Sequence, residues 1–252
     1  MVGFLLLTAV SAIQNHLGLY LLSALLFMAF GYLFFAGLWA AHKLHDRDEL
    51  QPHHVLFNMS QLPPKGQLLY VNLGLRYRAL ALGRRLTTGK AFVVDVYNPQ
   101  LAPSGAVKRG RARRPAILTD PRFEWLDGTI TLLPLPDESV HAAFLPQILS
   151  EFWQEGDRLT LLKEIYRVLP PNGCLLIAEQ VQSRINWLTL GPWALTLKPA
   201  AYWTNLLNQA GFIVRKEIDL QGYILCIRAE KPTFAEAYQM ALQLKYDSRQ
   251  NR

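Results

Sequence analysis

Asp95 stands near the end of the β-branched run AFVVDV at residues 91–96, which Tyr97, Asn98 and Pro99 follow. It stands about 20 residues beyond the loop Asn72-Leu73-Gly74-Leu75-Arg76-Tyr77-Arg78, the spacing at which an acid in an open α/β sheet accepts hydrogen bonds from both hydroxyls of a ribose. Capping of the turn before Pro99 is the competing role, and the spacing favours the ligand. Asp127 ends the run FEWLD, and Gln147 follows VHAAFLP. A carboxylate accepts protons or hydrogen bonds, whereas an amide such as Gln147 only orients what it touches. No general base is evident.

These groups need a scaffold that places strand ends side by side. Residues 67–73, 91–96, 122–126, 140–145 and 174–178 read as short buried strands. Between them, residues 76–86 and 158–169 carry apolar side chains at helical spacing. Residues 200–210 form a further helix closed by Gly211. Residues 212–218 and 223–229 read as a hairpin across the polar turn 219–222, and a last helix spans 234–246 after Pro232. Strands alternating with helices predict a parallel sheet covered on both faces.

The first 41 residues contain no Lys, Arg, Asp or Glu, so the net charge of +7 belongs to the other 211. Residues 17–41 form an uncharged stretch with no polar face, longer than the ~20 residues that cross a bilayer as a helix. Residues 1–41 are therefore read as a membrane anchor, with a bend near residues 14–16 where Gln14, Asn15 and His16 interrupt the apolar run. Residues 42–65 are a juxtamembrane linker and residues 66–252 the folded domain. His42, Lys43, His45 and Arg47 follow the span, which places the large domain in the cytoplasm. His42, His45, His53 and His54 read as solvated linker residues, with no metal expected. Cys174 and Cys226 each lie in an apolar run and read as small buried residues, with no disulfide.

Four segments resemble the class I S-adenosylmethionine-dependent methyltransferases of the type-11 kind. They are the acid Asp95 after strand two, the run LPLPDES at residues 133–139, LLKEIYRVLPPNGCLLIAEQV at residues 161–181, and WTNLLNQAGF at residues 203–212. The resemblance covers residues 66–229. It implies a Rossmann-like seven-stranded sheet with a C-terminal antiparallel β-hairpin, preceded here by an N-terminal transmembrane helical segment. It further implies S-adenosylmethionine as cofactor, with Asp95 on the ribose, Asp127 on the adenine, and Asn72, Gly74 and Arg76 at the amino acid end. The first loop departs from the family: Asn72 replaces an acid, and Arg76 and Arg78 stand where glycines belong. Weakened or lost cofactor binding is the expectation from that change.

Residues 101–115 also depart from the family. A helix is usual there, but Lys108, Arg109, Arg111, Arg113 and Arg114 make a basic run that reads as a poor helix. The run lacks interleaved aromatics, which argues against nucleic acid and favours anionic headgroups or an acidic protein surface. Residues 185–197 fall where the family carries substrate-covering insertions, and their Trp187 and Trp193 suit either a buried helix packing on the sheet or a lid that dips into a membrane interface or covers a greasy acceptor. Gln147 falls at a substrate-contacting position of the family. Two functions remain open. One is a membrane-anchored methyltransferase acting on a lipid, quinone or pigment precursor. The other is a catalytically inactive subunit or assembly factor of a membrane complex.

Overall fold

A computed structural model of the chain describes residues 17–46, 51–63, 65–76, 79, 89–113 and 120–239. Seven strands form one sheet in the order β3-β2-β1-β4-β5-β7-β6. They are β1 (Gln67–Asn72), β2 (Lys90–Asp95), β3 (Phe123–Asp127), β4 (Ala142–Pro146), β5 (Cys174–Gln180), β6 (Ile213–Leu220) and β7 (Ile224–Glu230). The first five pair in parallel and β7 runs antiparallel to both β5 and β6. β4 is buried throughout, and in β1 and β5 only Gln67 and Gln180 are half-buried. Their apolar sequences follow from burial on both faces of the sheet.

Two cores flank the sheet. On one face α4 (Glu155–Val168) inserts Leu161, Leu162, Ile165 and Val168, and α6 (Ala200–Gln209) inserts Trp203, Leu206 and Leu207. The other face is covered by α2 (Pro52–Ser60) through Leu56 and Met59. Gly211 ends α6 at φ +94°, where a side chain would be strained, and its N–H donates to Asn208 O.

The segment read as a linker is partly structured. α1 (Leu17–Asp46) runs past residue 41, and α2 packs on the sheet. Arg228 Nη1 donates to Met59 O at 2.6 Å and Cys174 Sγ to Ser60 O at 3.6 Å. The amphipathic His53–Met59 stretch is too short to show its period in the sequence. The basic run is corrected too: α3 (Gly105–Ala112) is a helix that buries Val107. Tertiary docking overrides its weak propensity. The third strand begins one residue later than expected and β4 two residues later, at Ala142. The bend at residues 14–16 lies outside the described residues, as do most of the helix at 76–86 and the last turns of the helix at 234–246.

Residues 18–40 of α1 have a mean hydropathy of 2.1 and only Ala40 among them is buried, so α1 is long and apolar enough to cross a bilayer. Cys174 and Cys226 are free and buried. Burial pushes their thiols up to about 11 and about 12.

Candidate active site

The strand order reverses between β1 and β4, and in an open α/β sheet that switch point is where ligands bind. The register sets the expected residues in one row: Asn72 pairs with Asp95, and Asp95 with Asp127, all at carboxyl ends. Asn72 is buried, and its Oδ1 accepts a hydrogen bond from Gly74 N. Gly74 has φ +86°, so Asn72 locks a turn that only glycine makes without strain. Asp127 is exposed beside the cleft.

The expected cation is not the one in the cleft. Arg76 turns its guanidinium to within 5.6 Å of the Trp125 ring centroid. Arg111 from α3 takes the place instead. Its Nη1 lies 2.6 and 2.8 Å from the two Asp95 oxygens and 2.9 Å from Leu73 O. The guanidinium stacks 4.2 Å from the Tyr97 centroid, and a Cβ on Gly74 would collide with it. Arg111 thus covers both the acid and the glycine on which a nucleoside ligand would rest. The sequence hinted at it only through a run of cations without an acid. Nothing in one dimension says which of five points inward. Arg78 and Arg114 lie outside the described residues.

Two cavities open at the switch point. The smaller, of about 330 Å³, lies between the first loop (Leu73, Leu75), α3 and the loop after β4 that carries Gln147. The larger, of about 640 Å³, extends outward past Phe152, Trp153 and Trp203 to Thr196, Leu197 and Lys198. Ser150, Glu151 and Gln180 line both. Of all these lining residues Glu151 alone is a carboxylate, a group the sequence did not single out. It follows β4 in the 3-10 turn Leu149–Glu151, a position without a motif. Gln147, at φ +55°, also lies here as expected. Trp187 and Trp193 do not pack on the sheet. They are 46% and 69% exposed, which overturns the buried-helix reading of residues 185–197.

The loop that carries Glu151 is held from below. Glu179 Oε1 accepts from Leu149 N at 2.8 Å. Burial pushes the Glu179 carboxyl up to about 7, opposed by the Ser150 side chain and by the backbone N–H groups of Leu149, Ser150 and Ile148. Because the folded state favours the protonated form, this group's contribution is fully present below its unfolded value near 4.5. It is lost as pH rises through about 7. The expected result is a thermal midpoint that falls between pH 5 and pH 8, by roughly 3 kcal/mol of stability, and a Glu179→Gln variant that loses this part of the slope. Equal slopes in the two proteins would contradict the assignment.

The fold and this site define a class I methyltransferase-like domain. The methyltransferase-domain family profile matches residues 74–177. Over 99 residues the chain is 33% identical to a probable S-adenosylmethionine-dependent methyltransferase of Mycolicibacterium smegmatis, a match spanning 37% of each protein. Among solved structures, an S-adenosylmethionine-dependent methyltransferase of Aquifex aeolicus superposes with a TM-score of 0.56 at 19% identity, over 71% of this chain and 89% of that one. Human N-acetylserotonin methyltransferase, solved with S-adenosylmethionine, gives 0.54 at 17% identity over 79% and 54% of the two chains. Over less than half of its length the chain is thus similar in sequence to S-adenosylmethionine-dependent methyltransferases, and it has the class I methyltransferase fold.

S-adenosylmethionine is the cofactor of that family, and the residues present fit it. Gly74, at φ +86°, follows β1 with backbone free of a side chain and Asp95 ends β2, and the Arg111 guanidinium now lies over both. Asp95 and Asp127 would hold the nucleoside, and the Asn72–Gly74 turn the amino acid end. When bound, the group supplies an electrophilic methyl on sulfur.

Proposed function

We propose that the chain is a membrane-anchored S-adenosylmethionine-dependent methyltransferase whose acceptor is a hydrophobic small molecule such as a lipid, quinone or pigment precursor. The larger cavity carries this reading: Phe152, Trp153, Trp203 and Leu197 offer an apolar bed that meets the smaller cavity at Ser150, Glu151 and Gln180. Gln147 and Gln180 orient the acceptor by hydrogen bonds. Glu151 takes its proton where the nucleophile is a hydroxyl, and proximity and orientation supply the rest. The basic residues Lys43 and Arg47, beyond the apolar stretch, favour a cytoplasmic domain, and α3 presents Lys108 and Arg109 to anionic headgroups.

Calorimetry with S-adenosylmethionine on the detergent-solubilised chain tests the reading. Saturable heat at millimolar ligand or below is expected, and its loss in Asp95→Ala. Glu151→Gln is expected to lower kcat for a hydroxyl acceptor by about 100-fold while leaving cofactor affinity unchanged. A second reading, a non-catalytic subunit of a membrane complex, is favoured by the Arg111–Asp95 ion pair across the nucleoside site. It predicts no heat from the wild type or from Arg111→Ala, and co-purification with a larger assembly that Asp95→Ala leaves intact.

A further inference from the structure

We propose that the segment between Arg184 and Lys198 is seated in the bilayer beside α1, so that a lipid surface covers this face and bounds the mouth of the larger cavity. The inference rests on the reading of α1 as a membrane span.

α1 meets the domain along a stripe of half-buried or buried residues, Leu33, Ala36, Gly37 and Ala40, while the rest of its described side chains in this stretch are exposed. Two contacts locate the segment against that stripe. The Cβ position of Gly37 lies 4.0 Å from Thr189 O, in helix α5 (Arg184–Leu190). A Cβ on Gly191, which opens the 3-10 turn Gly191–Thr196, would lie 3.0 Å from Leu33 Cδ2. The absence of a side chain at both positions lets the backbones approach closely.

The apolar stretch ends at Ala40. Gly37 and Leu33 lie three and seven residues before it, which is ~5 and ~10 Å along a helix axis. With the hydrocarbon boundary at Ala40, α5 and the 3-10 turn therefore reach ~5–10 Å inward, the depth at which interfacial helices bury their apolar face. Their side chains match that depth. Trp187, Leu188, Trp193 and Leu195 are 46 to 69% exposed, and residues 185–197 contain no charged residue. Arg184 and Lys198 flank them, placed for their cations to reach headgroups. Four large apolar side chains together on one short segment are a poor match for water.

The segment is built onto the sheet and is no loose flap. Ser183 Oγ accepts from Asn186 N at 2.9 Å, and the same hydroxyl donates to Gly222 O. Asn186, 1% exposed, donates from Nδ2 to Val181 O at 2.8 Å and to Tyr223 O at 2.9 Å. The β5 end and the β6–β7 turn thus hold it rigidly. Its far end, Thr196 to Lys198, lines the larger cavity, which places that cavity's rim at the lipid and gives a bilayer-dissolved acceptor a lateral way in.

Site-directed spin labelling of the full chain in phospholipid nanodiscs tests this. Cys174 and Cys226 are buried with raised thiol pKa values, so a nitroxide reagent at neutral pH modifies only introduced cysteines. Labels go at Leu188→Cys and Leu195→Cys, with Met28→Cys marking the span and Lys163→Cys, exposed on α4, marking water. Relaxation by oxygen exceeding that by a nickel chelate is expected at 28, 188 and 195, and the reverse at 163. A lipid signal at 28 with a water signal at 188 and 195 overturns this inference and leaves the span intact. A water signal at 28 overturns the span itself. Protection from both reagents at 188 and 195 means that protein, such as a second copy, covers the face, and also overturns the proposal.

Discussion

Arg111→Ala is expected to bind S-adenosylmethionine about 10- to 100-fold more tightly than the wild type by calorimetry, the equivalent of roughly 1.4–3 kcal/mol. The ligand and the guanidinium compete for the same carboxylate, so the free chain must break the Arg111–Asp95 pair before the ribose can replace it. That pair is largely shielded, with the two side chains 23% and 17% exposed, and Leu73 O and the Tyr97 ring add to it. A partly buried, charge-assisted pair resists opening more than a surface pair does. Conformational competition of this kind lowers apparent affinity by the fraction of chains in the open form. Arg111→Lys keeps a charge but loses the planar stacking, and intermediate affinity is expected. Equal affinities in all three proteins would show that Arg111 already lies clear of the cleft in solution.

The second large effect concerns Arg158, 7% exposed on α4. Its Nε donates to Leu149 O at 2.9 Å, Nη2 to Phe152 O at 2.7 Å and Nη1 to Tyr202 OH at 2.6 Å. Truncation to alanine takes the side-chain donor from Phe152 O and leaves Leu149 O with only the 3.3 Å bond from Phe152 N. Each such loss costs about 1–3 kcal/mol, so a total near 3 kcal/mol is expected. In a domain of this size that lowers the thermal midpoint by roughly 10 °C. Arg158→Lys is not expected to rescue it, since an ammonium cannot reach three acceptors in a fork. Two of these three bonds hold residues 149–152, so Glu151 loses its fixed position and turnover falls together with stability. A midpoint within 2 °C of the wild type, read with the ~3 kcal/mol expectation, would contradict this account.

Beside Asn72, the buried polar groups Glu179, Arg158 and Asn186 hold the site's loops. None is marked in the sequence by a motif. Glu179 reads as the end of a buried strand, Arg158 as one charge on an amphipathic helix, and Asn186 as one polar residue in an apolar stretch. Their side-chain partners lie 5 to 44 residues away, so their role emerges only when the sheet brings those segments together.

Periodicity and strand-end chemistry by themselves determined the architecture. Buried strands have to be apolar on both faces, helices between them have to be amphipathic, and a C-terminal pair split by a polar turn has to form a hairpin. The uncharged N-terminal stretch and the acids Asp95 and Asp127 were legible for the same local reasons. The structure alone decided what stands against those acids. The cation expected in the cleft was Arg76, a neighbour along the chain, yet Arg76 turns to Trp125 and Arg111 arrives from α3. Which basic residue of a run points inward depends on how its helix docks, and here Val107 sets that rotation. The carboxylate Glu151 in the cleft and the exposed face of residues 185–197 were hidden likewise, because exposure and convergence are properties of packing between distant segments.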